Sequence, residues 1–135
     1  VLAEHHLVFY LRMAGYKPFL VIEDDNLILL LYYRYLTGLP YQLIGLQDSR
    51  QAVQRVREDQ PALILLDVLL PNVDGWEVLQ TLKASPDTCH IPVVVCSVWN
   101  EPEIAISLGA DDFIKKPVLR QDLLQMIERN LDDAV

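Results

Sequence analysis

The sequence has few cysteines, few glycines and few basic residues, and each shortage argues against a class of protein. Its two cysteines, Cys89 and Cys96, show no metal-ligand spacing, and no glycine-rich phosphate-binding loop is present. Eleven basic residues against 19 acidic ones give a formal charge of −8, which argues against binding to nucleic acid. The longest unbroken apolar run, 27–33, is too short to cross a bilayer. We therefore expect a cytoplasmic protein without membrane insertion.

A continuous apolar run that ends in a carboxylate is the central feature of the chain. Residues 62–66 are all apolar, Asp67 follows them directly, and Pro71 and the Asp74-Gly75 pair come soon afterwards. A short apolar run followed by turn residues predicts a strand that is buried on both faces. Because a carboxylate is costly in an apolar interior, Asp67 is expected at the solvent edge of the sheet or beside a cation.

Three further predicted strands also end in polar side chains. The run at 19–22 leads into Glu23-Asp24-Asp25, the run at 92–96 leads into Ser97, and the segment 112–114 leads into Lys115-Lys116-Pro117. In an open parallel sheet, ligands bind at the carboxyl ends of the strands. The sequence therefore predicts one site that combines carboxylates, a hydroxyl and a lysine.

Helices are predicted between these strands and after the last one. Capping residues and apolar spacing place their starts near Asn26, Asp48, Asp74, Pro102 and Arg120, and their ends near Thr37, Gln60, Ala84, Gly109 and Leu131. With a further strand at 41–46, the order is strand then helix, repeated five times. This order predicts one α/β domain whose parallel sheet carries helices on both faces. The charged residues of the second helix, Arg55 among them, are expected to face solvent.

Together these motifs resemble the receiver domain of two-component response regulators, over roughly residues 17–133. The motifs that carry the resemblance are the acidic pair Glu23-Asp24, the acceptor-like Asp67, the Leu70-Pro71-x-x-Asp74-Gly75 loop, Ser97, and Gly109-Ala110-Asp111-Asp112-Phe113 before Lys115-Lys116-Pro117. The resemblance implies a flavodoxin-like, doubly wound sheet with the strand order 2-1-3-4-5. It also implies a receiver domain at 17–135, which leaves residues 1–16 as an N-terminal extension that could form a short helix.

The resemblance assigns a role to each polar strand end. Asp67 would accept a phosphoryl group, and Lys116, preceding a cis proline, would pair first with Asp67 and then with the phosphate. An Mg²⁺ ion would be held by Glu23, Asp24, Asp67 and the backbone carbonyl of Leu69. The chain would then act as a signalling switch and not as an enzyme, beyond self-catalysed phosphotransfer and slow loss of its own phosphate.

The resemblance also implies a conformational response and a set of partners. The Ser97 hydroxyl would move toward the phosphoryl group and Phe113 would turn into the space that it vacates. The phosphodonor would be a histidine kinase or a phosphotransfer protein. The receiver of the signal would be a downstream effector protein or an adjoining domain.

Three residues are expected to flank the phosphate, and one of them departs from the family pattern. Val98 stands where the family carries a very small residue, and Leu69 and Trp99 occupy the two positions that flank the approach of water. Neither Leu69 nor Trp99 can orient an attacking water, so we expect slow hydrolysis. Val98 narrows the entrance to the site, so we also expect slow labelling by small donors. The chain between Ser97 and Gly109 is also about one helical turn shorter than is common in the family, so the family's dimer surface is not expected to transfer.

Two other functions are compatible with parts of the pattern. A phosphatase of the haloacid dehalogenase type also uses an Asp at a strand end, but it needs a second Asp two residues later, where this chain has Leu69. A degenerate receiver could serve only as a docking module, although the presence of Asp67, Asp24 and Lys116 argues against it.

The first helix is apolar on more than one side. If Ile28, Leu31, Tyr32, Tyr35 and Leu36 face inward, the other side carries Leu27, Leu29, Leu30 and Tyr33. An exposed apolar patch of that extent usually has a partner. We therefore predict that the N-terminal segment, or a neighbouring subunit in a homodimer, covers Leu29, Leu30 and Tyr33.

Overall fold

The computed structural model describes residues 15–131, and the first 14 and last four residues lie outside that description. Five strands form one parallel sheet in the order β2-β1-β3-β4-β5, as predicted. The strands are β1 (Lys17–Ile22), β2 (Tyr41–Leu46), β3 (Leu63–Asp67), β4 (Val93–Ser97) and β5 (Asp112–Lys115).

Five α-helices connect and follow the strands: α1 (Asn26–Tyr35), α2 (Ala52–Asp59), α3 (Gly75–Ala84), α4 (Pro102–Ser107) and α5 (Arg120–Asn130). Helices α2, α3 and α4 pack on one face of the sheet, and α1 and α5 pack on the other. None of the helices within 15–131 has both the length and the hydropathy needed to span a bilayer.

Aspartate caps hold the starts of two of these helices. The side chain of Asp25 accepts a hydrogen bond from Leu27 N, and that of Asp74 accepts one from Trp76 N, each at 2.9 Å. Asp48 and Gln51 have the sequence spacing of a capping box, but they do not form one at the start of α2. Asp48 instead caps a single 3₁₀ turn (Ser49–Gln51) that precedes α2, and the Gln51 side chain makes no capping bond.

The inward side of α1 differs from the prediction. Leu29 was expected on the outer side, but it is buried, whereas Leu31 was expected inside and is 42% exposed. The reason lies in β2, where Gly45 has no side chain. The Leu29 methyl groups approach within about 3 Å of the place where a Cβ would stand, so α1 packs through Leu29, Tyr32 and Leu36.

Of the charged residues of α2 that were expected to face solvent, Arg57 and Glu58 are exposed but Arg55 is not. Arg55 and Asp59 are both buried, and both Nε and a terminal nitrogen of the guanidinium donate to Asp59 Oδ2 at 3.2 Å. The spacing of four residues places the two side chains on one helix face. Pairing satisfies two charges that would each be costly alone in the interior.

Glycine is required where α3 meets the loop after β3. A Cβ on Gly75 would lie 2.4 Å from Val68 Cα and 2.7 Å from the Val68 carbonyl oxygen. Backbone therefore contacts backbone at this point. Since Val68 directly follows Asp67, the close approach helps to fix the end of β3.

Candidate functional site

The parallel register brings the predicted polar residues to one edge of the sheet. Asp67 is the last residue of β3 and lies opposite Cys96, the neighbour of Ser97 on β4. Ser97 in turn lies opposite Lys115 on β5, and Lys116 N donates to the Ser97 carbonyl at 2.9 Å. Glu23 extends β1 by donating its backbone N–H to Leu46 O. Four strands thus converge on one site.

Lys116 bridges two carboxylates at this edge. Its Nζ lies 2.7 Å from Glu23 Oε1 and 2.9 Å from Asp67 Oδ2. Burial alone would lower the pKa of Lys116, but the hydrogen bonds and charges of Glu23 and Asp67 outweigh it and raise the pKa. The lysine is therefore a fixed positive charge at neutral pH.

Glu23 is more central than the sequence indicated. It is 3% exposed, whereas its neighbour Asp24 is exposed to solvent. Burial raises the pKa of Glu23, and hydrogen bonds from Lys116 and from the Asp25 amide partly oppose that rise. The family resemblance placed Glu23 among the expected Mg²⁺ ligands, but nothing in the sequence indicates that Glu23 shares Lys116 with Asp67.

Three carboxylates form a cluster that suits a hard divalent cation. Glu23, Asp24 and Asp67 each offer one oxygen, and these oxygens all lie within 4.8 Å of one another. Oxygen ligands of this kind are what Mg²⁺ and Mn²⁺ prefer. The donor set therefore fits the metal expected from the sequence.

Backbone amides from the following loops hold the two polar side chains in place. Leu69 N donates to Asp67 Oδ1 at 2.9 Å, and Trp99 N donates to Ser97 Oγ at 3.1 Å. Ser97 is fully buried. Each bond joins a residue to the second residue after it, a turn pattern that Asp and Ser favour. The sequence pattern alone did not identify these bonds.

The three residues expected to flank the phosphate are all exposed, just after the ends of β3 and β4. Leu69 is 49% exposed, Val98 is 51% exposed and Trp99 is 61% exposed. Phe113, by contrast, is partly buried and packs against the apolar core on the face of α2, α3 and α4.

Cys96 lies beside the site but on the opposite face of β4 from Val95. It is buried, and burial raises the pKa of its thiol to about 12. The thiol is therefore neutral and packs with α1 and α5 as a small buried hydrophobe.

Known proteins share both the sequence pattern and the architecture. The family model of the response regulator receiver domain matches residues 19–128. The polar-differentiation response regulator DivK of Brucella anthropi is 30% identical over 121 residues, covering 87% of this chain and 98% of DivK. The receiver domain of a signal transduction histidine kinase from Syntrophus aciditrophicus is 32% identical, with a TM-score of 0.74 over 85% of this chain and 89% of that one.

A metal-bound structure is also among the relatives. The Mn²⁺-bound form of the response regulator Rcp1 is 30% identical, with a TM-score of 0.72 over 88% of this chain and 96% of that one. The similarity thus spans nearly the full length of each relative, and it includes the four strands that build the site. The chain is a member of the response regulator receiver domain family.

Proposed function

We propose that this chain is a phosphorylation-dependent signalling switch in which Asp67 accepts a phosphoryl group from a histidine of a kinase or phosphotransfer protein. One observation carries the proposal. A buried carboxylate at a strand end is hydrogen-bonded to Lys116 Nζ at 2.9 Å and shares a metal-suited cluster with Glu23 and Asp24. An aspartate on an ordinary protein surface is solvated and needs neither a lysine partner nor a cluster of carboxylates beside it.

The chemistry follows from the charges of the side chains. An Asp67 oxygen attacks phosphorus as the bond from phosphorus to the donor nitrogen breaks, and that nitrogen keeps the electron pair and takes up a proton. Lys116 stays protonated and can pair with the phosphoryl oxygens. A divalent cation held by Glu23, Asp24, Asp67 and the Leu69 carbonyl would offset the negative charge that enters the site.

The response to phosphorylation is proposed to start at Ser97. Its Oγ accepts a hydrogen bond from Trp99 N, which leaves the hydroxyl proton available for a phosphoryl oxygen. Phe113 is partly buried against the core, so it can turn further inward when Ser97 moves. The altered surface would then be read by a downstream effector or an adjoining domain.

Incubation with a small acyl-phosphate donor and Mg²⁺ tests the function. We expect one phosphoryl group per chain, on the peptide that contains Asp67, and no labelling when a chelator removes the metal. Intact-mass measurement and peptide mapping give both results. A chain that takes up no phosphate from small donors or from phosphohistidine proteins would be a docking module. Steady turnover of phosphate esters would indicate a phosphatase.

The lifetime of the phosphorylated state is the second expected property. Leu69 and Trp99 are apolar, so neither can orient water in line with the bond to be broken, and we expect slow hydrolysis. Leu69→Asn and Trp99→Glu each place a polar group there and should speed phosphate loss about tenfold, since positioning supplies much of such a rate. The decay is followed after removal of the donor.

A matched control separates positioning from a general effect of charge. Ile106→Glu replaces an apolar side chain of similar exposure, 52% against 61% for Trp99, on α4. This variant should lose phosphate at the wild-type rate. Unchanged decay in both Leu69→Asn and Trp99→Glu would show that these residues do not limit access of water.

A further inference from the structure

The outer face of α1 is unusually apolar for a surface helix. Leu27 is 74% exposed, Leu30 57%, Leu31 42% and Tyr33 53%. In the described part of the chain, helices α2, α3 and α5 expose no large apolar side chain at all. Four such residues on a helix of ten form a continuous patch, which we call the α1 face, and patches of this kind usually have a partner.

The α1 face carries little charge to select a polar partner. The first turn of α1 contains no acidic residue, and Arg34 in the last turn is the basic one. Arginine also offers an aliphatic stem that can cover apolar surface. The face therefore suits an apolar segment that carries little charge of its own.

The described part of the chain begins beside this face. Tyr16, which precedes β1, and Tyr33 of the α1 face line one groove of about 180 Å³. The end of α1 and the start of β2 complete the groove. The described chain therefore begins next to the carboxyl-terminal end of the α1 face.

Residues 1–14 also have the length and the composition that the α1 face requires. Helix α1 has ten residues and is about 15 Å long, whereas 14 residues span about 21 Å as a helix and about 46 Å when extended. Ten of the 14 residues are apolar, and 7–11 is an unbroken apolar run. The segment can thus reach the whole face from its attachment point.

We infer that residues 2–11 lie along the α1 face, so that the run 7–11 covers Leu30, Leu31 and Tyr33. This occupant fits better than a second copy of the chain, because it is tethered beside the face and its effective concentration is high. The N-terminal extension then forms an additional layer of the domain outside α1.

Thiol labelling of the intact chain tests this assignment. In a Cys89→Ser background, which leaves only the buried Cys96, Leu30→Cys places a thiol on the α1 face. Ile106→Cys places one on α4, where Ile106 is 52% exposed against 57% for Leu30, so the two sites are matched. We expect the Leu30→Cys thiol to react about tenfold more slowly, as for a site that is covered most of the time.

Substitutions in the extension distinguish its docking from other causes. Leu7→Asp with Phe9→Asp should restore fast labelling at Leu30→Cys, whereas His5→Asp with His6→Asp adds the same number of carboxylates and should leave it slow. Equal labelling of both thiols in the intact chain would overturn the inference. Slow labelling that persists after Leu7→Asp with Phe9→Asp would also overturn it. So would labelling of Leu30→Cys that becomes faster on dilution, since dilution dependence indicates a second copy on the face.

Discussion

Asp67→Asn is expected to abolish Mg²⁺-dependent labelling by an acyl-phosphate donor. The amide is a far weaker nucleophile than the carboxylate. The substitution also removes one of the three carboxylates that fit the metal. Lys116 would keep its bond to Glu23 at 2.7 Å, so the site should stay assembled around it. Intact-mass measurement after incubation with donor and metal gives the result directly.

Asp74→Asn is the matched control for this loss. Asp74 lies seven residues after Asp67 and caps α3 by accepting from Trp76 N at 2.9 Å. Asparagine caps helices about as well as aspartate does, so this variant should fold and label normally. Labelling of Asp67→Asn at the wild-type level would refute the assignment of the phosphoacceptor.

Gly75→Ala is expected to destabilise the fold by about 3 kcal/mol, at the upper end of the usual cost of overpacking. The added Cβ would lie 2.4 Å from Val68 Cα, and backbone cannot swing aside as a flexible side chain can. Either α3 or the loop after β3 must move. Chemical denaturation followed by circular dichroism measures the change in the free energy of unfolding.

Gly38→Ala shows what the loss of a glycine costs without a clash. Gly38 has a φ of +84° and no neighbouring atom within 4 Å of the added Cβ, so only the backbone conformation should matter, at about 1 kcal/mol. If Gly75→Ala cost no more stability than Gly38→Ala, the close contact at Val68 would not be rigid.

The Gly75→Ala variant should also be phosphorylated by the acyl-phosphate donor more slowly than the wild type, because Asp67 directly precedes Val68.

Much of the fold could be predicted because the signals were local and repeated. The apolar runs that end at Ile22, Leu66 and Cys96 are strands whose bounds lie within two residues of the predicted ones. Capping aspartates and terminating glycines predicted where helices begin and end. Gly109, with a φ of +107°, follows the end of α4 as expected. The strand order came from the family resemblance.

Side-chain environment was less predictable where one helix could present more than one face. In α1, apolar residues occupy nearly every position, so periodicity could not decide whether Leu29 or Leu31 pointed inward. The decision depends on Gly45 of another strand, which makes room for Leu29. Arg55 was similarly assigned to solvent by its charge, although Asp59 pairs with it in the interior.

The site was predictable as a set of residues but not as a network of bonds. Strand ends must meet at one edge, so the convergence of Asp67, Ser97 and Lys116 followed from topology. The sharing of the Lys116 ammonium group by Glu23 and Asp67 depends on distances of 2.7 and 2.9 Å between side chains at the ends of three strands. No spacing along the chain encodes such a sharing of partners.

The single sheet separates the interior into two cores, and this separation has a consequence for how substitutions combine. Phe113 packs with the core of α2, α3 and α4, whereas Leu29, Tyr32 and Leu36 of α1 pack with the core of α5. Changes that lie on opposite faces and share no contact usually have additive effects on stability. The surface of α1 can therefore diverge between related proteins without altering the packing around Phe113. Substitutions on the two faces of the sheet can then accumulate independently in evolution.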